Sequence, residues 1–132
     1  MSEKIVEKND LEAAGLGNVN ISNEVIASIA GMAATQCYGL VGMSSRRFQD
    51  GIAGLLGKDN LSKGVEVVVE NGTIKLRLFI VVEYGIRIVE VARTIKETVK
   101  FFVEDSTEMK VSQIDITVQG VRVGTAGKER ND

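Results

Sequence analysis

The chain has 132 residues, enough for one domain. Apolar residues make up 44%, charged residues 26%, and the mean hydropathy is +0.08, so there is enough apolar material for a core. The sequence holds no histidine, proline or tryptophan and a single cysteine. That excludes imidazole general bases, Ser-His and Cys-His nucleophile pairs, ordinary zinc sites and any intramolecular disulfide. Sixteen basic against eighteen acidic residues leave a net charge of −2, a poor match for non-specific nucleic-acid binding.

Residues 1–15 read as a disordered tail, 16–123 as one domain and 124–132 as a second disordered tail, because both ends hold few large apolar residues. Lys4, Glu7, Lys8, Asp10 and Glu12 interrupt every apolar run near the start, which argues against a signal peptide. The longest unbroken apolar run, Leu78 to Val82, is far short of the roughly 20 residues that span a bilayer. The expectation is a cytoplasmic chain that meets a membrane only through a partner.

In chain order, Val19 and Ile21 form a short extended lead-in, and Ser22 is placed to cap a helix by accepting a free first-turn N–H. Val25, Ile26, Ile29, Ala30 and Ala33 then predict a helix over 23–36. Gly31 and the alanines imply that it packs closely on something flat. Gly39 to Met43 reads as a short strand, and 46–57 as a short, marginal helix. Residues 64–71 and 73–83 predict an antiparallel hairpin turning at Asn71-Gly72. On the return strand Ile74, Leu76, Leu78, Ile80 and Val82 face one way, and Thr73, Lys75 and Arg77 the other. Ile88, Ala92, Ile95, Val99 and Phe102 mark a long second helix over about 88–105. Its i,i+4 pairs Arg93/Glu97 and Lys100/Glu104 add modest support. The last strand alternates Ser112, Ile114, Ile116 and Val118, and Gly120 marks a bulge or bend where the parity changes. The order β-α-β-(short α)-β-β-α-β defines an α+β fold, one mixed or antiparallel sheet with two amphipathic helices on one face.

No motif carries chemistry. Gly51 to Lys58 is not a phosphate loop, since Ile52 stands where the first glycine is required and Asp59 where Ser or Thr is required. Gly51-Ile52-Ala53-Gly54 matches the short signature of KH-type RNA-binding modules, but its middle residues cannot engage a phosphate; RNA binding is the alternative reading. Cys37 ends the first helix, where the negative helix end disfavours a thiolate. The carboxylates form neither an acid/base dyad nor a metal cage, so no catalytic, cofactor-binding or metal-binding residue is expected and no cofactor. Two apolar features remain. From Phe79 to Val82 both faces of the return strand are apolar, and the 46–57 segment carries Phe48, Ile52, Leu55 and Leu56. Phe48, Ile52, Leu55, Leu56, Phe79 and Val81 are therefore the candidate surface for self-association, making a homo-oligomer the expectation. In the alternative, the 46–57 segment folds over the second sheet face and covers it within one chain.

The segments Asn20 to Ala27, Cys37 to Met43, Leu61 to Val65, Val82 to Gly85 and Val118 to Val123 together resemble the alkaline shock protein family, most closely its YloU-type branch. The resemblance implies a non-enzymatic cell-envelope stress protein of Gram-positive bacteria. Such a protein self-associates and is held near the membrane by an integral-membrane partner. Other branches suggest an accessory regulator of fatty-acid metabolism. No catalytic or binding residues carry over. Where many members have Pro or Ser at the start of the second helix, this chain has Val89, so that start should be looser or Val89 buried.

Overall fold

Asn71 (φ 52°) and Gly72 (φ 78°) both take left-handed backbone, the geometry of the turn that best matches strand twist in a two-residue hairpin. The hairpin they close lies at the centre of the sheet. A computed structural model describes residues 4–5, 19–45 and 55–123. Its elements are β1 (Lys4–Ile5), β2 (Asn20–Ile21), α1 (Asn23–Thr35), β3 (Leu40–Met43), a 3-10 segment (Lys58–Gly64), β4 (Val65–Glu70), β5 (Thr73–Glu83), α2 (Ile88–Thr107) and β6 (Lys110–Arg122). The class is α+β, as the sequence predicts. Part of the first tail, Lys4–Ile5, pairs antiparallel with Asn20–Ile21; the rest of both tails lies outside the described residues.

β5 has partners on both edges. On one edge β4 pairs with its first half, from Glu70↔Thr73 to Val65↔Leu78. β3 then continues the same edge, with Met43↔Ile80 and Leu40↔Val82. On the other edge β6 runs parallel to β5 from Thr73↔Lys110 to Glu83↔Arg122. The sheet is thus mixed and three strands wide. The parallel pair needs a crossover, and α2 supplies it. Between Val118 and Gly120 the register slips by one residue, so the expected bulge falls at Gln119. A second slip, between Val111 and Gln113, has no glycine to announce it.

α1 and α2 cover one face. The Ser22 hydroxyl accepts from Val25 N–H at 3.2 Å, the predicted cap. Ala27, Ala30, Ala33 and Ala34 join Ile74, Leu76, Leu78, Ile80 and Val82 in the core. Gly31 meets the 3-10 segment: a Cβ there would stand 3.1 Å from the Leu61 Cβ. The buried line of α2 is Val91, Ile95, Val99, Val103 and Thr107. Ile88 and Phe102 of the predicted stripe are exposed instead. The line follows the i,i+4 ridge because α2 packs on α1 as well as on the sheet. Arg93 pairs with Glu90 at i,i+3, 2.7 Å, rather than with Glu97. Arg87 precedes α2 without a side-chain cap, and Val89 is exposed rather than buried.

Two substitutions test this account. Ser22→Ala should lower unfolding free energy by about 1 kcal/mol through loss of the cap. Ile80→Ala should cost about 2–5 kcal/mol by opening a cavity under both helices, whereas Val68→Ala on the open sheet face should stay within about 0.5 kcal/mol. Chemical denaturation of the three variants measures all of these.

Candidate interaction surfaces

The sequence-predicted surface divides three ways. Phe79 and Val81 are buried within the single chain. The Leu55 side chain lies against Gly42, where a Cβ would be 3.1 Å from its Cδ2. Because Gly42 is the register partner of Val81, Leu55 sits on the sheet face away from the helices, and it is 43% exposed. Leu56 turns to the opposite face and packs on the core, its N–H donating to the Met43 carbonyl at 2.9 Å. Phe48, Ile52 and the Gly51–Gly54 signature lie outside the described residues, as does most of the predicted 46–57 helix. The described part of that segment enters the sheet instead, through a bridge between Ser44 and Leu55.

Farther along, the face opposite the helices is a ladder of charges. Glu66 pairs with Arg77 at 3.5 Å, Lys75 approaches Glu70 at 3.9 Å, and Gln113 donates to Asp115 at 2.9 Å. These groups are well solvated, so each pair contributes little to stability. Glu104 is half-buried rather than free: it accepts the Val111 N–H at 2.8 Å and ties α2 to β6. Cys37 is buried, its thiol directed at the Ala33 carbonyl. Among the described residues, no group of three His, Cys, Asp or Glu side chains is placed to hold a metal ion.

Another surface forms where three loops meet. Glu83 N–H donates to the Gly39 carbonyl at 2.8 Å, and Tyr84 N–H to the Arg122 carbonyl at 2.7 Å. These bonds bring the turn after α1, the turn after β5 and the end of β6 to one end of the domain. Gly39 (φ 91°) and Gly85 (φ 89°) both take left-handed backbone that other residues adopt at a cost. The residue before each is a tyrosine, and these are the chain's two tyrosines. Tyr38 is 80% exposed and Tyr84 76% exposed. Ile88, Val89, Val121 and Val123 are exposed at the same end. A shallow cleft of about 380 Å³ lies between Tyr38, Gly85 and the first turns of α2. The sequence carried a signal for this surface that the chain-order reading passed over: the dipeptide Tyr-Gly occurs twice, each time directly after a core element.

A helix-covered sheet whose unusual features are all exposed apolar or aromatic groups defines a binding type of α+β domain. Comparison of the sequence makes the assignment specific. The chain belongs to the alkaline shock protein 23 family, described as having a cell envelope-related function, which it matches over residues 12–123. It is 45% identical over 108 residues to "Uncharacterized protein YloU" of Bacillus subtilis, covering 81% of this chain and 90% of that one. It is 35% identical over 108 residues to "Uncharacterized protein Spy1614" of Streptococcus pyogenes, covering 81% and 89%. A second Bacillus subtilis protein, "Uncharacterized protein YqhY", is 32% identical over 129 residues, 98% and 95% of the two chains. No solved structure matches. Among the described residues, no helix is long and apolar enough to cross a membrane.

The two glycines separate backbone strain from crowding. A Cβ on Gly39 would stand 2.7 Å from Val91 Cγ2, whereas one on Gly85 would meet nothing within 4 Å. Gly85→Ala should therefore cost about 1 kcal/mol, the left-handed penalty alone. Gly39→Ala should cost at least about 1 kcal/mol more, because it also overpacks against α2. Thermal or denaturant unfolding of the pair checks the order.

Proposed function

We propose that the chain is a non-enzymatic interaction module in cell-envelope stress or maintenance. It acts from the cytoplasm, associates with further copies of itself through the tyrosine end, and is held near the membrane by a partner that is itself membrane-embedded. The observation that carries this reading is the convergence of Tyr38 and Tyr84, with Val89, Val121 and Val123 beside them, on one end of the domain. Tyrosine gives a large contact area at low entropy cost and is enriched where binding energy concentrates. Exposed apolar groups gathered in one place are the mark of an interaction site, whereas scattered ones are ordinary surface. The family's cell envelope-related function supports the setting. The absence of histidine from the sequence, and carboxylates that sit on solvated faces beside cations, support a role other than catalysis.

Light scattering on the full chain across a wide concentration range should give a mass that rises above one chain. Tyr38→Ser with Tyr84→Ser should return it to the monomer, with the unfolding midpoint little changed because both side chains are solvated. A constant monomer mass in the unsubstituted chain contradicts self-association. Loss of association on Leu55→Ser, with no effect of the tyrosine changes, would move the interface to the other sheet face.

A further inference from the structure

The outward side of the helix layer carries a second apolar surface, distinct from the tyrosine end. Glu24 is the one charged residue of α1. A groove of about 280 Å³ runs between the helices, with Ile29, Met32, Ala33 and Phe102 along it and Ser28 and Gln36 at its margin. Met32 is 46% exposed and Phe101 62% exposed, and Val25 is exposed on the same side of α1. The Phe101 and Phe102 rings meet edge to face, with centroids 5.5 Å apart. The core uses the other side of both helices, so these groups are apolar surplus that packing does not explain.

The charges around the groove are one-sided. At about 100° per residue, Glu90, Glu97, Phe101 and Glu108 share the outward line of α2, with Asp105 next to it on the groove side. The bases of α2 lie elsewhere. Lys96 and Lys100 border a separate cleft against β6, and Arg93 is engaged by Glu90 at 2.7 Å. Among the described residues, Glu97, Asp105 and Glu108 form no ion pair. The groove is therefore apolar along its length and acidic along one rim.

We propose that this groove binds an amphipathic helix whose apolar stripe is flanked by lysine and arginine. The proposal rests on reading the chain as an interaction module, and it names the chemistry of a partner at a surface that self-association does not use. A helix laid in a groove inserts apolar groups at i, i+3, i+4 and i+7, and its flanking bases then reach the acidic rim. A second copy is the poorer occupant, since a two-fold arrangement sets the same acidic line against itself. Anionic lipid and nucleic acid meet the same repulsion.

The probe is a synthetic amphipathic helix of about five turns, with a leucine stripe and Lys/Arg flanks. One control keeps the leucines and carries Glu flanks; another scrambles the order. Fluorescence anisotropy with the full chain should show binding of the basic peptide, weakened by added salt. The Glu-flanked peptide should bind at least about tenfold more weakly, the cost of placing like charges together. Phe101→Ser and Met32→Ser should each weaken binding about tenfold, as expected for anchors at a binding surface, and Asp105→Lys should weaken the basic peptide selectively. All three sites are exposed, and circular dichroism confirms folding of each variant. Equal binding of the scrambled or Glu-flanked peptide, unchanged binding by Phe101→Ser, or preferential binding of anionic vesicles overturns the proposal. Tyr38→Ser with Tyr84→Ser should leave peptide binding intact, so a failure of self-association and a failure of the groove read out separately.

Discussion

Between Phe79 and Val82, β5 is bonded along both edges and buried on both faces, and the rest of the domain is arranged around that stretch. Ile80 and Val82 point into the layer formed by α1 and α2. β3, β4 and β6 all take their register from β5, and the Ser44 N–H donates to the Phe79 carbonyl at 2.9 Å, carrying the pairing into the next segment. One strand thus holds four others and both helices in place. Substitutions there act on every element at once, which is why Ile80 and Val68 should differ so widely in cost.

Burying β5 so fully removes it from contact with partners. What stays outside is sorted by position. The far sheet face carries charges that satisfy one another across strands, the end of the domain carries Tyr38 and Tyr84, and the helix layer carries Met32, Phe101 and Phe102. The bond from Glu83 to Gly39 shows how closely the tyrosine end is tied to the core, because it extends the β3–β5 pairing directly into the turn that presents Tyr38. An interaction surface on such a support is rigid, and rigidity reduces the ordering cost of association. The family's cell envelope-related function agrees with a protein that works through contacts.

Much of the fold was legible because local signals and burial agreed. Asn71-Gly72 named its own turn, alternation on the return strand placed Ile74 to Val82 on the helix-covered face, and Ser22 marked the start of α1. The buried line of α2 was misread because Ile88 and Phe102 fit a helical stripe as well as Val91 and Val103 do. Only packing against both α1 and the sheet selects between those lines. The same ambiguity hid the groove, since a phenylalanine on a helix reads as core until a neighbour is seen to exclude it. The apolar run at Phe79 to Val82 was correctly taken to need cover on both faces. The cover lies within one chain, and sequence could not decide between that and a second copy because pairing of Ser44 with Leu55 is non-local. For the same reason, the end where Tyr38 meets Tyr84 depends on contacts between residues 38–39, 83–84 and 122, which no local pattern encodes.

The central claim is that association uses the tyrosine end while the β5 core stays closed. Amide spectra of the isotopically labelled full chain, followed from dilute to concentrated solution, test it directly. Resonances of residues 38–39, 84–89 and 121–123 should shift and broaden as concentration rises, while Phe79, Ile80 and Val81 keep their shifts and remain slow to exchange with solvent. Concentration-dependent shifts centred on Leu55 and Phe79 to Val81, with the tyrosine end unmoved, would contradict it.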